Sequence, residues 1–231
     1  MRARWGKWGG ITATLLAVAL LAVGVLAVRR HYLDDPFFRS EVNLRLYILS
    51  TLRSERRLLL VGDSNVGVMS CVSDFAKWDV LNLGIFGLRS GRMLDYVRSH
   101  VQAWPRFDAA ILWVGINDLR FDNVNGTEVA RNVLAILSGL SVASSRLALV
   151  RQVPLPEGRD TGYSTRVNQE VAAMNAILTE EVRPELATII VPFPDESAGR
   201  WEDFASDGLH LSARGYSHVC AEVGRWLSYN E

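Results

Sequence analysis

Beyond residue 56 the sequence alternates short aliphatic runs with longer segments of helical period, and this alternation restricts the fold more than any other feature. Strand candidates lie at 58–61, 80–83, 109–114, 146–150 and 188–191, built mainly from Leu, Val, Ile and Ala. Helical candidates at 90–103, 127–140, 164–182 and 212–227 carry apolar residues three to four apart. A continuous apolar run suits a strand buried on both faces, and strands separated by helices pair in parallel. The pattern therefore predicts a parallel sheet covered on both sides, with any chemistry in the loops at the carboxyl ends of the strands.

A second constraint precedes the domain. Residues 11–28 contain no charge and are almost wholly aliphatic, with Arg2, Arg4 and Lys7 before them and Arg29 and Arg30 after. As a helix this run spans about 27 Å, close to a hydrocarbon core of about 30 Å, so it is expected to be a transmembrane anchor. A cleaved signal peptide competes with that reading, but the run is longer than the usual apolar core of such peptides and lacks a small-x-small site at its end. The expected organisation is a tail at 1–10, the anchor at 11–28, a juxtamembrane linker or helix at 29–56 and a catalytic domain at 57–231. Basic residues flank both ends of the anchor and orient it weakly. A short tail before a single anchor leads us to expect the domain outside the cytoplasm, in a periplasmic or cell-surface location.

Composition excludes some classes. The 231 residues suffice for one sizeable core, and 25 basic residues balance 25 acidic ones, so no global field attracts nucleic acid. His31, His100 and His218 have no acidic or cysteine partners at ligand spacing, so no metal site is expected. Cys71 and Cys220 fit a disulfide or two buried thiols equally well. Trp5 and Trp8 precede the anchor, where interfacial aromatics are common. Trp78, Trp104, Trp113 and Trp226 are expected in the core or at its rim, and Trp201 is the tryptophan placed to line a substrate cleft. Oligomeric state is not legible.

Four loops that should follow strands hold polar residues beyond what turns need. Gly62-Asp63-Ser64-Asn65 could present a serine hydroxyl above the sheet, or Asp63 and Ser64 could be ordinary helix N-caps. Asp207-Gly208-Leu209-His210 puts an acid three residues before an imidazole. The carboxylate could orient one ring nitrogen, or Asp207 could be a turn residue and His210 a capping or solvated side chain. In Gly115-Ile116-Asn117-Asp118 the Asn117 amide could serve a developing oxyanion or close an Asx turn. In Asn82-Leu83-Gly84-Ile85-Phe86-Gly87 a glycine N–H could approach a substrate.

In order and separation these loops resemble the four sequence blocks of the SGNH hydrolases, also called the GDSL family, over residues 57–227. Gly62-Asp63-Ser64 matches the first block, Gly87 the second, Gly115-Ile116-Asn117-Asp118 the third and Asp207-Gly208-Leu209-His210 the last. The resemblance implies a flavodoxin-like three-layer α/β/α sandwich of about five parallel strands. It further implies a serine esterase with Ser64 as nucleophile, His210 as base and then acid, and Asp207 orienting the imidazole. The oxyanion hole would be the backbone N–H groups of Ser64 and Gly87 with the Asn117 side chain, and no cofactor is implied. Leu88-Arg89 stand where the family often has a polar pair, which leaves Gly84 open beside Gly87.

The expected activity is hydrolysis of acyl, including O-acetyl, esters on a small molecule, lipid or polysaccharide, with the loop at 154–162 facing substrate. An acyltransferase passing the acyl group to an envelope polysaccharide, or a non-catalytic binding domain, are the alternatives.

Overall fold

Leu58, Leu59, Leu60 and Val61 are all fully buried in β1 (Arg57–Gly62), as the centre of a sheet covered on both faces requires. The computed structural model describes residues 56–69, 75, 77–121, 124–156, 161–193 and 200–229, all within one compact unit, Leu46–Glu231. The further strands are β2 (Asp79–Gly84), β3 (Ala109–Trp113), β4 (Leu147–Val150) and β5 (Thr188–Ile190). They form one sheet in the order β2-β1-β3-β4-β5, every pair parallel.

The helices are α1 (Ser64–Gly67), α2 (Ser90–His100), α3 (Ile116–Phe121), α4 (Gly126–Leu140), α5 (Thr161–Glu181) and α6 (Ala213–Ser228). Side chains alternate across a strand, and one set, including Leu58, Leu60, Ile111, Trp113 and Val150, packs with Tyr216, Val219, Val223 and Leu227 of α6. The alternate set, Leu59, Val61, Ala110 and Leu112, is equally buried and points to the opposite face. The layer of α2, α4 and α5 is held together by close approach. A Cβ on Gly139 of α4 would stand 2.5 Å from the Val97 side chain of α2, and one on Gly126 would stand 2.2 Å from the Glu170 carbonyl of α5. The fold is thus a three-layer α/β/α sandwich on a five-stranded parallel sheet.

Strand order decides where a site can form. The chain passes from β1 to β2 on one side and then crosses back to β3 on the other, so the loops after β1 and β3 diverge and leave a crevice between them. Gly62 pairs with Gly84 of β2 and with Trp113 of β3, which brings the ends of all three strands to one level.

The expected strands and long helices are present with small shifts at their ends. The helix expected at 90–103 ends at His100 and tightens into a 3₁₀ turn, Val101–Ala103. Helix α5 begins at Thr161, so the loop expected at 154–162 is shorter than the sequence suggested. Trp113 and Trp104 are buried, Trp78 and Trp226 partly so, and Trp201 is 45 % exposed. Cys220 is buried on α6 and disulfide-bonded, while Cys71, the chain's other cysteine, lies outside the described residues. The apolar run expected as an anchor at 11–28 and the linker expected at 29–56, apart from its last residue Arg56, also lie outside them. No helix among the described residues is long and apolar enough to cross a membrane.

Candidate active site

Asp63 and Ser64 show how the turn after β1 is built. Asp63 is the N-cap of α1, its Oδ1 accepting from Asn65 N at 2.9 Å, so Ser64 starts the helix directly above the strand end. Capping by Asp63 and presentation of Ser64 are therefore two parts of one turn. The turn is packed tightly, since a Cβ on Gly62 would stand 2.0 Å from the Trp113 carbonyl and one on Gly84 would stand 2.1 Å from Gly67 N. Asp63 is fully buried, its Oδ2 has no hydrogen-bond partner among the described residues, and its pKa is pushed up from 3.8 to about 7. Burial is the main cause. The backbone bond from Asn65 pulls the other way, and the Asp118 charge adds to the rise.

The loop before α6 folds into a tight hairpin. Phe204 bridges Leu211, Ala205 N donates to His210 O at 2.8 Å, and Gly208 N donates to Ala205 O at 2.9 Å. Gly208 makes the turn possible with φ +64°, a left-handed conformation that side chains disfavour. Asp207 Oδ1 accepts from Leu209 N at 2.9 Å and His210 N at 3.0 Å, which fixes the carboxylate against its own turn. Its Oδ2 is then 2.6 Å from His210 Nδ1, and His210 Nε2 is 2.9 Å from Ser64 Oγ. Burial acts to raise the Asp207 pKa, but the bonds from the His210 ring and from the Leu209 and His210 backbone outweigh it, and the net shift is downward. The carboxylate is thereby held ionised beside Nδ1 of the ring, while Nε2 faces the serine hydroxyl.

The loops after β2 and β3 are tied to each other. Asn117, 2 % exposed, donates from Nδ2 to Leu88 O at 3.1 Å, a bond that uses one of its two amide protons and orients the other. Asp118 caps α2 from across the crevice, its carboxylate accepting from Ser90 N at 2.9 Å and Ser90 Oγ at 2.8 Å. Between these anchors Leu88 N donates to Ile85 O at 3.2 Å, closing a turn in which Gly87 has φ +70° and open space where a Cβ would stand. Gly84 differs: its N–H donates to Asn82 Oδ1 at 2.7 Å, and it abuts the Gly67 backbone. Of the two glycines the sequence left open, Gly87 is the exposed one, with its N–H not given to a side chain of its own strand.

Three contributors were not legible in the sequence. Tyr216 of α6 donates its hydroxyl to Asn65 O at 3.0 Å, joining the turn that holds Ser64 to the helix that follows His210. Its phenol is held strongly toward the protonated form by burial first, and then by the Asp63 and Asp207 charges. Ser90 donates both its N–H and its hydroxyl to Asp118. Phe86, 68 % exposed, has its ring centroid 6.5 Å from that of His210 and forms one wall of the crevice mouth. Trp201 packs on the turn of the hairpin, a ring carbon 3.1 Å from where a Gly208 Cβ would be. His100 stacks on Tyr96 and His218 lies against Phe193, both on helices away from the crevice, while His31 lies outside the described residues.

The arrangement has an acid, an imidazole and a serine hydroxyl in series, with Gly87 in the loop after β2 and Asn117 in the first turn of α3. The model of the GDSL-like Lipase/Acylhydrolase family matches residues 61–218. Among solved structures, a GDSL-like lipase from Bacteroides thetaiotaomicron aligns with a TM-score of 0.64 at 15% identity, covering 84% of this chain and 98% of that one. A carbohydrate esterase family 3 protein from Talaromyces cellulolyticus aligns at 0.56 and 15% identity, covering 76% and 98%. A variant of an acetyl-xylooligosaccharide esterase from Geobacillus aligns at 0.55 and 16%, covering 76% and 95%. At such identities the structural likeness speaks to the fold. No curated protein matches this chain in sequence.

Proposed function

The chain belongs to the GDSL-like lipase/acylhydrolase family and is an ester-bond hydrolase, and we propose that it cleaves acyl esters, O-acetyl esters among them, through Ser64, His210 and Asp207. The observation that carries this reading is the unbroken series from Asp207 Oδ2 through both ring nitrogens of His210 to Ser64 Oγ, at 2.6 and 2.9 Å.

In the proposed reaction His210 Nε2 takes the Ser64 proton as Oγ attacks the ester carbonyl. Asp207 stabilises the imidazolium that forms. The tetrahedral oxyanion is met by the backbone N–H groups of Ser64 and Gly87 and by the second amide proton of Asn117. Collapse of this intermediate expels the alcohol, which takes the proton from His210 and leaves an acyl-serine. Water then attacks the acyl-serine with His210 again as base, releasing the acid and restoring Ser64.

Two observations support a domain held at a membrane outside the cytoplasm. The uncharged run at 11–28 has the length and composition of an anchor, and the disulfide at Cys220 suits an oxidising compartment.

Covalent labelling tests the nucleophile. Full-length protein in detergent, treated with diethyl p-nitrophenyl phosphate, should gain one adduct, on the peptide holding Ser64, and His210→Ala should slow its formation by orders of magnitude. An adduct elsewhere, or none, would refute the assignment.

A further inference from the structure

Phe86 is out of keeping with the other phenylalanines of the domain. Phe75, Phe107 and Phe204 are buried, whereas Phe86 leaves most of its surface in solvent. An exposed apolar side chain is ordinary on its own, and it is the position of this one that carries meaning. Ile85 N donates to Gly62 O at 3.0 Å, extending the β1–β2 pairing by one bond, and Leu88 N then closes back on Ile85 O at 3.2 Å. Phe86 and Gly87 are therefore the two central residues of one turn, and the Gly87 N–H belongs to the peptide that joins them. The ring reaches from the end of α1, its Cε2 3.4 Å from where a Gly67 Cβ would stand, toward His210, with 50° between the two ring planes.

The chemistry of the triad decides which half of an ester this ring meets. At the tetrahedral carbon the oxyanion faces the Gly87 N–H and Asn117. The leaving oxygen must face His210 Nε2, because that nitrogen returns the proton to it. Phe86 is bonded to the first group and stands beside the second, so its ring flanks the alcohol. The acyl chain takes the remaining direction. A ring in that place packs on an aromatic or apolar alcohol, and it offers no hydrogen bond to a hydroxylated one.

We propose that Phe86 is a specificity-determining residue of this esterase, selecting the alcohol half of the ester through ring packing and leaving the acyl half to other groups. The inference rests on the reading of Ser64, His210 and Asp207 as the triad and adds the residue that discriminates among leaving groups.

The test compares full-length wild type, Phe86→Ala and Phe86→Tyr in detergent, with released acid followed by titration. One series varies the alcohol, as benzyl, hexyl and 2-hydroxyethyl acetates, and the other varies the acid, as ethyl acetate, butyrate and octanoate. The readout is kcat/KM, which covers every step up to loss of the alcohol. Wild type should prefer benzyl over 2-hydroxyethyl acetate by about tenfold. Phe86→Ala should bring that ratio to within about twofold of unity, and Phe86→Tyr, which keeps the ring, should restore it. The octanoate-to-acetate ratio should move by less than about twofold in both variants. No alcohol preference in wild type, or a preference untouched by Phe86→Ala, would overturn the proposal. So would a larger change in the acyl series than in the alcohol series, which would put the ring on the acyl side. Failure of the triad reading is a separate result: hydrolysis that survives Ser64→Ala, or none by wild type on any ester.

Discussion

The hydroxyl of Tyr216 donates to the backbone carbonyl of Asn65 at 3.0 Å, so the residue after the nucleophile is pinned to the helix that begins just past His210. Ser64 and the Asp207–His210 pair come from distant parts of the chain, and this bond ties the two segments together. Tyr216→Phe removes one buried hydrogen bond, worth about 1 kcal/mol, and should lower kcat roughly 3- to 10-fold on p-nitrophenyl acetate with KM nearly unchanged. Steady-state kinetics check it, and an unchanged kcat would mean that packing alone positions the serine.

Asn117 carries a larger share in the account. Its amide is buried and oriented by Leu88 O, so a proton is available to an oxyanion without reorganisation. Asn117→Ala should lower kcat by about 10²–10³-fold while the fold survives, as read by ester hydrolysis and circular dichroism. Near-normal turnover in a folded variant would remove Asn117 from the oxyanion hole.

Gly84 at the end of β2 and Gly87 in the loop that follows should respond differently to a methyl group. A Cβ on Gly84 would collide with the Gly67 backbone at 2.1 Å, whereas Gly87 has open space but a left-handed φ of +70°. Gly84→Ala should therefore fail to yield folded protein, and Gly87→Ala should fold with a loss of about 1–2 kcal/mol in thermal unfolding. The reverse pattern would contradict the loop geometry described here.

Those glycines also mark how far the sequence could be read. The five strands and four long helices were legible because each repeats a hydrophobic period over enough residues to be seen. Helices α1 and α3 were not. At four and six residues they are too short to show a period, and they carry Ser64 and Asn117. Ser64, Asp207, His210 and Asn117 could be singled out because their residue types are chemically informative in the loops that end strands. Gly87 could not be separated from Gly84, because what distinguishes them is an N–H already given to Asn82 and a backbone contact with Gly67. Tyr216 was invisible for a similar reason: it lies 151 residues from Asn65, and an apolar helix position looks the same whether or not its hydroxyl finds a partner.

Asp63 gives the protein a pH dependence of stability. Its carboxyl holds a proton up to about pH 7 in the folded chain, against an ordinary value of 3.8. Between those values folding takes up a proton, so this contribution is full at low pH and is lost as pH rises toward neutrality. Asp63→Asn keeps an acceptor for Asn65 N and removes the titration. The stability of the variant relative to wild type should therefore rise by about 2–3 kcal/mol from pH 5 to pH 8. Thermal or denaturant unfolding at the two pH values measures it, and a constant difference would show that Asp63 does not titrate in that range.

The central claim is that Ser64 is the nucleophile, and the most direct measurement is hydrolysis of p-nitrophenyl acetate by the full-length protein and by Ser64→Ala. The account predicts turnover in wild type and a loss of about 10⁴-fold or more in the variant, with circular dichroism unchanged. Turnover that survives the substitution would contradict it.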